Sequence, residues 1–179
     1  ADTDGDGMSD GWEVGYGLNA RSGLDASLVG WWKLDDGAGS NAVNSAQNAY
    51  HGALVGYSDP NMGWTEDGFL GGALRFDGLD DWVRIAQVQA LLTGGPFTVS
   101  AQVWLDPDCT SAWPEAVSDY EAGTWNGYCL GFNESRAYAM LGPYGWLMDS
   151  NALAGRWVWT AMEYDGAQMR LYLDGVLAG

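Results

Sequence analysis

At 179 residues the chain has room for one domain of ordinary size plus an appended module, enough to bury a proper core. Its 7 Lys+Arg against 24 Asp+Glu give a formal charge of -17, which argues against nucleic acid or anionic membrane as partners because phosphate binding needs clustered cations, and makes divalent cations the natural counterions. The 27 glycines, the 13% aromatic content and the lack of sustained helical periodicity suggest many short strands joined by tight turns, and no apolar stretch approaches the roughly eighteen residues of a membrane span.

The chain opens on Asp2-Thr3-Asp4-Gly5-Asp6-Gly7-Met8-Ser9-Asp10-Gly11-Trp12-Glu13. A calcium loop of twelve residues draws oxygens from its positions 1, 3, 5, 7, 9 and 12 and turns on a glycine at position 6. The spacing assigns carboxylate oxygens to Asp2, Asp4 and Asp6, a backbone carbonyl to Met8, a direct or water-bridged contact to Asp10 and a bidentate clamp to Glu13, with Gly7 at the turn. Five carboxylates this close repel one another, and Arg21 is the first cation downstream, so the loop calls for its own Ca2+. The competing reading is a solvated acidic turn. Ser9 stands where a paired EF-hand carries an aliphatic residue, and no second such loop follows. The run DTDGDGMSDGWEVGYGLN resembles the calcium repeats of thrombospondin type 3 and dockerin kind. A short helix is expected over 11–16, then a linker over 20–27 that separates this module, 1–19, from a second domain, 28–179. The start has no basic region followed by an apolar core, so either a signal peptide has been removed or the chain is part of a longer one.

From Leu28 the pattern shifts to strand-length runs, at 28–34, 52–55, 73–76, 82–85, 97–105, 128–132, 137–141, 157–164 and 169–173. Phe97, Val99, Ala101, Val103 and Leu105 alternate with Thr98, Ser100, Gln102 and Trp104, the period of a sheet with one buried face. Tyr164-Asp165-Gly166-Ala167 carries the Asp-Gly signature of a tight hairpin. An all-β fold of two packed antiparallel sheets follows.

The chemistry-bearing side chains are few. His51, the one histidine, reads as a hydrogen-bonded structural group rather than a general base. Asp77, Asp80 and Asp81 in FDGLDDWV read either as a second metal site or as a turn whose carboxylates cap amides. Glu115, Asp119 and Glu121 lack the alternation of a glycosidase carboxylate set and read as a solvated loop. Trp31, Trp157 and Trp159 read as core. Trp104, opposite the core face of its strand, and Trp113, Trp125 and Trp146, in loop-like sequence, are the candidates for a ligand surface on which a sugar face could stack. Cys109 and Cys129 are either two buried free thiols or, in the oxidising compartment that a calcium loop of extracellular type implies, a disulfide; the disulfide is the expectation.

LVGWWKLDDGAGSNAVNSAQNAYHGALVG, GGALRFDGLDDWVRI, FTVSAQVWLDP and RWVWTAMEYDGAQMRLYLDGVLAG resemble, in order and spacing, the laminin-G-like domains of the concanavalin A-like jelly-roll superfamily, over 28–179. The resemblance implies a jelly-roll sandwich whose last strands would follow the LYLDG hairpin. Their absence would expose an unpaired edge open to another chain. The expectation is a secreted, calcium-binding, non-enzymatic module, structural or adhesive, in a bacterial surface protein or extracellular fibre. Its partners would be neighbouring copies or other domains of the same long chain, with glycans or surface proteins as ligands, no nucleic acid and no membrane insertion. A carbohydrate-binding module of a larger secreted enzyme is the alternative, and a glycoside hydrolase a third reading.

Overall fold

The computed structural model describes residues 28–46, 49–86, 95–109, 112–121, 126–142 and 144–179. The expected calcium loop with Asp2, Asp4, Asp6, Met8, Asp10 and Glu13, the expected helix and linker, and Trp125 fall outside the described residues. Among the described residues the regular structure is antiparallel β, with a single 3-10 turn at Pro60–Met62, and no helix is long and apolar enough to cross a membrane. The chain divides into two compact units, one within Ala1–Arg75 and Trp82–Val88, the other within Phe76–Asp81 and Gln89–Gly179.

In the first unit β1 (Asn41–Ala42), β2 (Gly52–Val55) and β5 (Trp82–Ile85) form a three-stranded sheet in the order β1-β2-β5, and β3 (Trp64–Gly68) pairs with β4 (Gly71–Leu74). The run 28–34, expected as a strand, is not one: its ladder is limited to a bridge between Trp32 and Asn44. The Asn44 side chain takes the place of a partner strand, its Oδ1 accepting from the Trp31 and Ala46 amides, and Leu34 turns the chain away at a φ of 58°. His51 is structural as expected, since its Nδ1 accepts from the Asn44 amide at 3.0 Å. That bond requires the tautomer protonated on Nε2.

The second unit is a β-sandwich. One sheet has the order β13-β12-β11-β6, from β6 (Phe97–Trp104), β11 (Trp157–Tyr164), β12 (Met169–Leu173) and β13 (Val176–Leu177). The other has the order β10-β9-β8-β7, from β7 (Glu115–Glu121), β8 (Asn126–Asn133), β9 (Arg136–Gly142) and β10 (Gly145–Met148). Along β11 buried and half-buried residues alternate without a break, so Val158, Thr160, Met162 and Tyr164 enter the core. They meet Phe97, Val99 and Val103 of β6, Leu171 and Leu173 of β12, and Tyr128, Leu130, Phe132, Ala137, Ala139 and Leu141 of the facing sheet. Each fully buried large apolar side chain here contributes roughly 1.5–3 kcal/mol of transfer free energy, which makes this interface the main source of the unit's stability.

The same alternation corrects the reading of Trp157 and Trp159 as core, since it turns both to the outer face, where Trp157 meets Trp104 edge-on at 6.1 Å. Trp104 lies opposite the core as expected and is 49% exposed. The hairpin at Asp165 is also as expected. Gly166 takes a φ of 95°, and the Asp165 carboxylate accepts from the Ala167 and Gln168 amides and from Arg170, which holds its pKa down at about 2.

Candidate functional site

The feature that stands apart is the face of the β7–β10 sheet turned away from the sandwich core. Strand alternation sends Leu130 and Phe132 of β8 inward and leaves Cys129 and Gly131 on this face. On β9 Ala137, Ala139 and Leu141 go inward, and Arg136, Tyr138 and Met140 share the outer side. The register then lines up Ser118 of β7, Cys129, Met140 and Trp146 of β10 in one row across the sheet. Glu115, Gly131, Tyr138 and Met148 form the next row.

Trp113 reaches into this second row from the bend before β7. The bend is tied to β8 by two bonds, from the Phe132 amide to the Pro114 carbonyl at 2.9 Å and from Asn133 Nδ2 to the Ala112 carbonyl at 3.2 Å. The Trp113 indole rests edge-on against the Tyr138 ring, with centroids 5.4 Å apart, and stacks on Trp146 at 5.9 Å with the planes 24° apart. Gly131 makes this possible: a β-carbon there would lie 2.7 Å from the Pro114 carbonyl and 3.0 Å from the Tyr138 ring. The result is a two-indole surface over a buried phenol, with Trp113 46% and Trp146 58% exposed and Tyr138 only 5%. Such a surface presents a broad π face without free rotation, which suits stacking on the apolar face of a sugar ring.

Beneath it lies a small apolar cluster of Cys129, Tyr138 and Met140, flanked by Tyr120 and Met148. Cys129 Sγ and Tyr138 Oη are 3.1 Å apart. Burial pushes the Cys129 thiol up to about 12 and the Tyr138 phenol higher still, so both stay neutral at physiological pH. The expected disulfide is not formed. Cys129 is a buried free thiol in the middle of β8, bonded to Tyr138, and Cys109 is an exposed free thiol in the turn after β6, where its amide is bonded to the Asp106 carbonyl.

The acidic segment read as a solvated loop is strand β7, and a β-bulge decides what its carboxylates do. Glu115 pairs with Gly131 and Val117 with Leu130, so two β7 positions oppose a single step on β8. Ala116 and Val117 both pack toward the core, which turns Glu115 to the outer face. Asp119 stands opposite Tyr128, a core residue whose phenol rises to about 12 through burial and the nearby Asp119 charge. Glu115 and Asp119 thus face opposite sides of the sheet. On its side, Glu115 Oε2 accepts the Ser118 hydroxyl at 2.6 Å, a short charge-assisted bond.

Of the four tryptophans singled out as a ligand surface, the structure brings Trp113 and Trp146 together and puts Trp104 on the other sheet. Tyr138, Glu115 and Ser118 complete the face and were not foreseen. Their signal was available in the alternation of Tyr138 and Met140 with three inward Ala and Leu positions, which marks a second, outward apolar row.

Asp77, Asp80 and Asp81 do converge, with one carboxylate oxygen from each within 4.8 Å of the others. They also cap their own turn. Asp77 Oδ1 accepts from the Leu79 amide at 2.8 Å and the Asp80 amide at 3.3 Å, and Asp81 Oδ2 accepts from the Asp77 amide at 3.0 Å. The Leu79 amide foremost, with the Asp80 and Asp81 amides, lowers the Asp77 pKa. An all-oxygen set of three carboxylates fits a hard cation such as Ca2+, so the cluster could hold a metal while serving as a capped turn.

A laminin-G-like family model, described as the concanavalin A-like lectin/glucanases superfamily, matches residues 76–179, more than half of the chain. The chain belongs to this superfamily. Comparisons with curated proteins and with solved structures found no match. The matched stretch begins at Phe76, where the second compact unit also begins, rather than at Leu28. The concanavalin A-like domain thus carries the aromatic face, the β7 bulge and the acidic turn alike.

Proposed function

We propose that the concanavalin A-like domain is a non-hydrolytic glycan-binding module of an extracellular or cell-surface protein, with Trp113 and Trp146 as the stacking surface. The observation that carries this reading is the pair itself: two indoles from distant parts of the chain, each about half exposed, held parallel on one sheet face by Tyr138 and Gly131. The bulge in β7 supports the absence of hydrolysis, because it sends Glu115 and Asp119 to opposite faces, whereas a glycosidase needs two carboxylates flanking one bond. Affinity electrophoresis or calorimetry against a panel of polysaccharides tests the reading. Binding that falls at least tenfold in Trp113→Ala and Trp146→Ala, with no reducing ends released, supports it. Binding unchanged in both variants sinks it.

A second reading rests on a separate observation, the six-position match of Asp2, Asp4, Asp6, Met8, Asp10 and Glu13 to a calcium loop. Under it the module is a Ca2+-stabilised structural or adhesive element whose partners are neighbouring copies or other domains of the same long chain. Electron microscopy with and without a chelator separates the two. Assemblies that dissolve on chelation favour the structural role, and monodisperse particles that bind glycan under both conditions favour the first.

A further inference from the structure

We propose that the glycan class recognised by this face is a polysaccharide carrying free amino groups, of the glucosamine type, and that Glu115 is the specificity-determining residue that receives the ammonium. The inference rests on the glycan-binding reading.

Three observations converge on it. The first is the bulge. Simple alternation would turn Glu115 to the same side as Val117 and Asp119, and the extra β7 residue instead brings its carboxylate to the side of the Trp113 and Trp146 surface. Bulges of this kind re-aim a side chain and bend the strand at the cost of ladder bonds. Here the side chain re-aimed is a carboxylate, held by the Ser118 hydroxyl at 2.6 Å.

The second is the disposition of charge. Every described basic residue of the second unit is already engaged: Arg136 with Glu134 at 2.8 Å, Arg156 with Asp174 at 2.8 Å, and Arg170 with Asp165 at 2.7 Å and Glu163 at 3.5 Å. Arg136 is the basic side chain on the aromatic face itself, so among the described residues of the second unit a uronate or sulfate laid there would meet no free cation. Among the described residues Glu115 takes part in none of the ion pairs, so an ammonium would find an unneutralised carboxylate.

The third is complementarity with the rings and with the whole chain. An ammonium beside an indole face gains a cation–π attraction that a neutral hydroxyl does not. A formal charge of -17 also steers a cationic polymer toward the protein and an anionic one away.

The probes are glucosamine oligomers, their N-acetylated counterparts and glucose oligomers of equal length, titrated at mildly acidic pH where the free amines are protonated. The glucosamine series should bind most tightly. Glu115→Gln should lower its affinity about tenfold and leave the two neutral series unchanged. Glu66→Gln removes the same charge from a strand of the first unit, as a control for diffuse attraction, and should change nothing. Equal losses in Glu115→Gln and Glu66→Gln would overturn the inference, as would equal affinity for charged and neutral oligomers. In either case Trp113-dependent binding of neutral oligomers would leave the glycan-binding reading standing. No binding of any series would remove both.

Discussion

The thiol of Cys129 lies 3.1 Å from the hydroxyl of Tyr138, inside the buried cluster on which the exposed tryptophan pair rests. This contact gives the aromatic face a neutral, desolvated floor, and it makes the domain's response to alkali specific. Burial raises the Cys129 pKa from 9.0 to about 12. In the unfolded chain the thiol ionises near its ordinary value, so the stabilisation is fully present below about pH 9 and is lost as the pH climbs toward 12. Denaturant melts should show a loss of about 2–3 kcal/mol near pH 11 that is smaller in Cys129→Ala than in the parent. Identical alkaline limbs in the two proteins would refute the assignment.

Thiol labelling separates the two cysteines directly. Cys109 is exposed and Cys129 is 1% accessible, so native protein should take up one alkyl group rapidly and a second only on unfolding. Mass spectrometry reads the count, and uptake of none in native protein would restore the disulfide.

Gly127 tests the geometry of the β7–β8 hairpin. It holds a φ of 96°, and a β-carbon would lie against the Asp119 carbonyl, which is backbone and cannot yield cheaply. Gly127→Ala should cost about 2–4 kcal/mol in a chemical melt. Gly145, at the same φ with nothing within 4 Å, should tolerate the same change with a smaller loss, set by backbone strain alone.

Thr160 is fully buried in β11, and its hydroxyl has no hydrogen-bond partner among the described residues. Valine has the same shape and no hydroxyl to desolvate. Thr160→Val should raise stability by about 1 kcal/mol, read as a higher melting temperature, and Thr160→Ala should lower it by opening a void in the sandwich.

Acid acts on the hairpin at Asp165. Its pKa is lowered to about 2 by the Gln168 and Ala167 amides and by Arg170, so its contribution is present above about pH 4 and fades as the pH falls toward 2. The melting temperature of Asp165→Asn should converge on that of the parent across that window. A gap that stays constant would mean that the carboxylate's charge is not what ties the loop.

The antiparallel β class, the inward row of β6, the bounds of β11 and β12, the Asp165 hairpin and the structural role of His51 were all legible in the order of the residues. In each case the determinant is local. A period of two in Phe97 to Val103 selects one face of a strand whatever it packs against, and an aspartate before a glycine closes a turn through bonds to its own backbone. Trp104 followed from the same alternation. Everything else depends on contacts between strands. Residues 115–121, with three acids in seven, have poor strand propensity and form β7 because β8 supplies the ladder, so the segment looked like a loop. Trp146 sits on β10 for the same reason, bonded to β9. That Cys109 and Cys129 stay apart, that Trp113 crosses Gly131 to stack on Trp146, and that one bulge turns Glu115 outward are facts of register between strands. Register is set by the packing of the whole sandwich, and no window of sequence contains it.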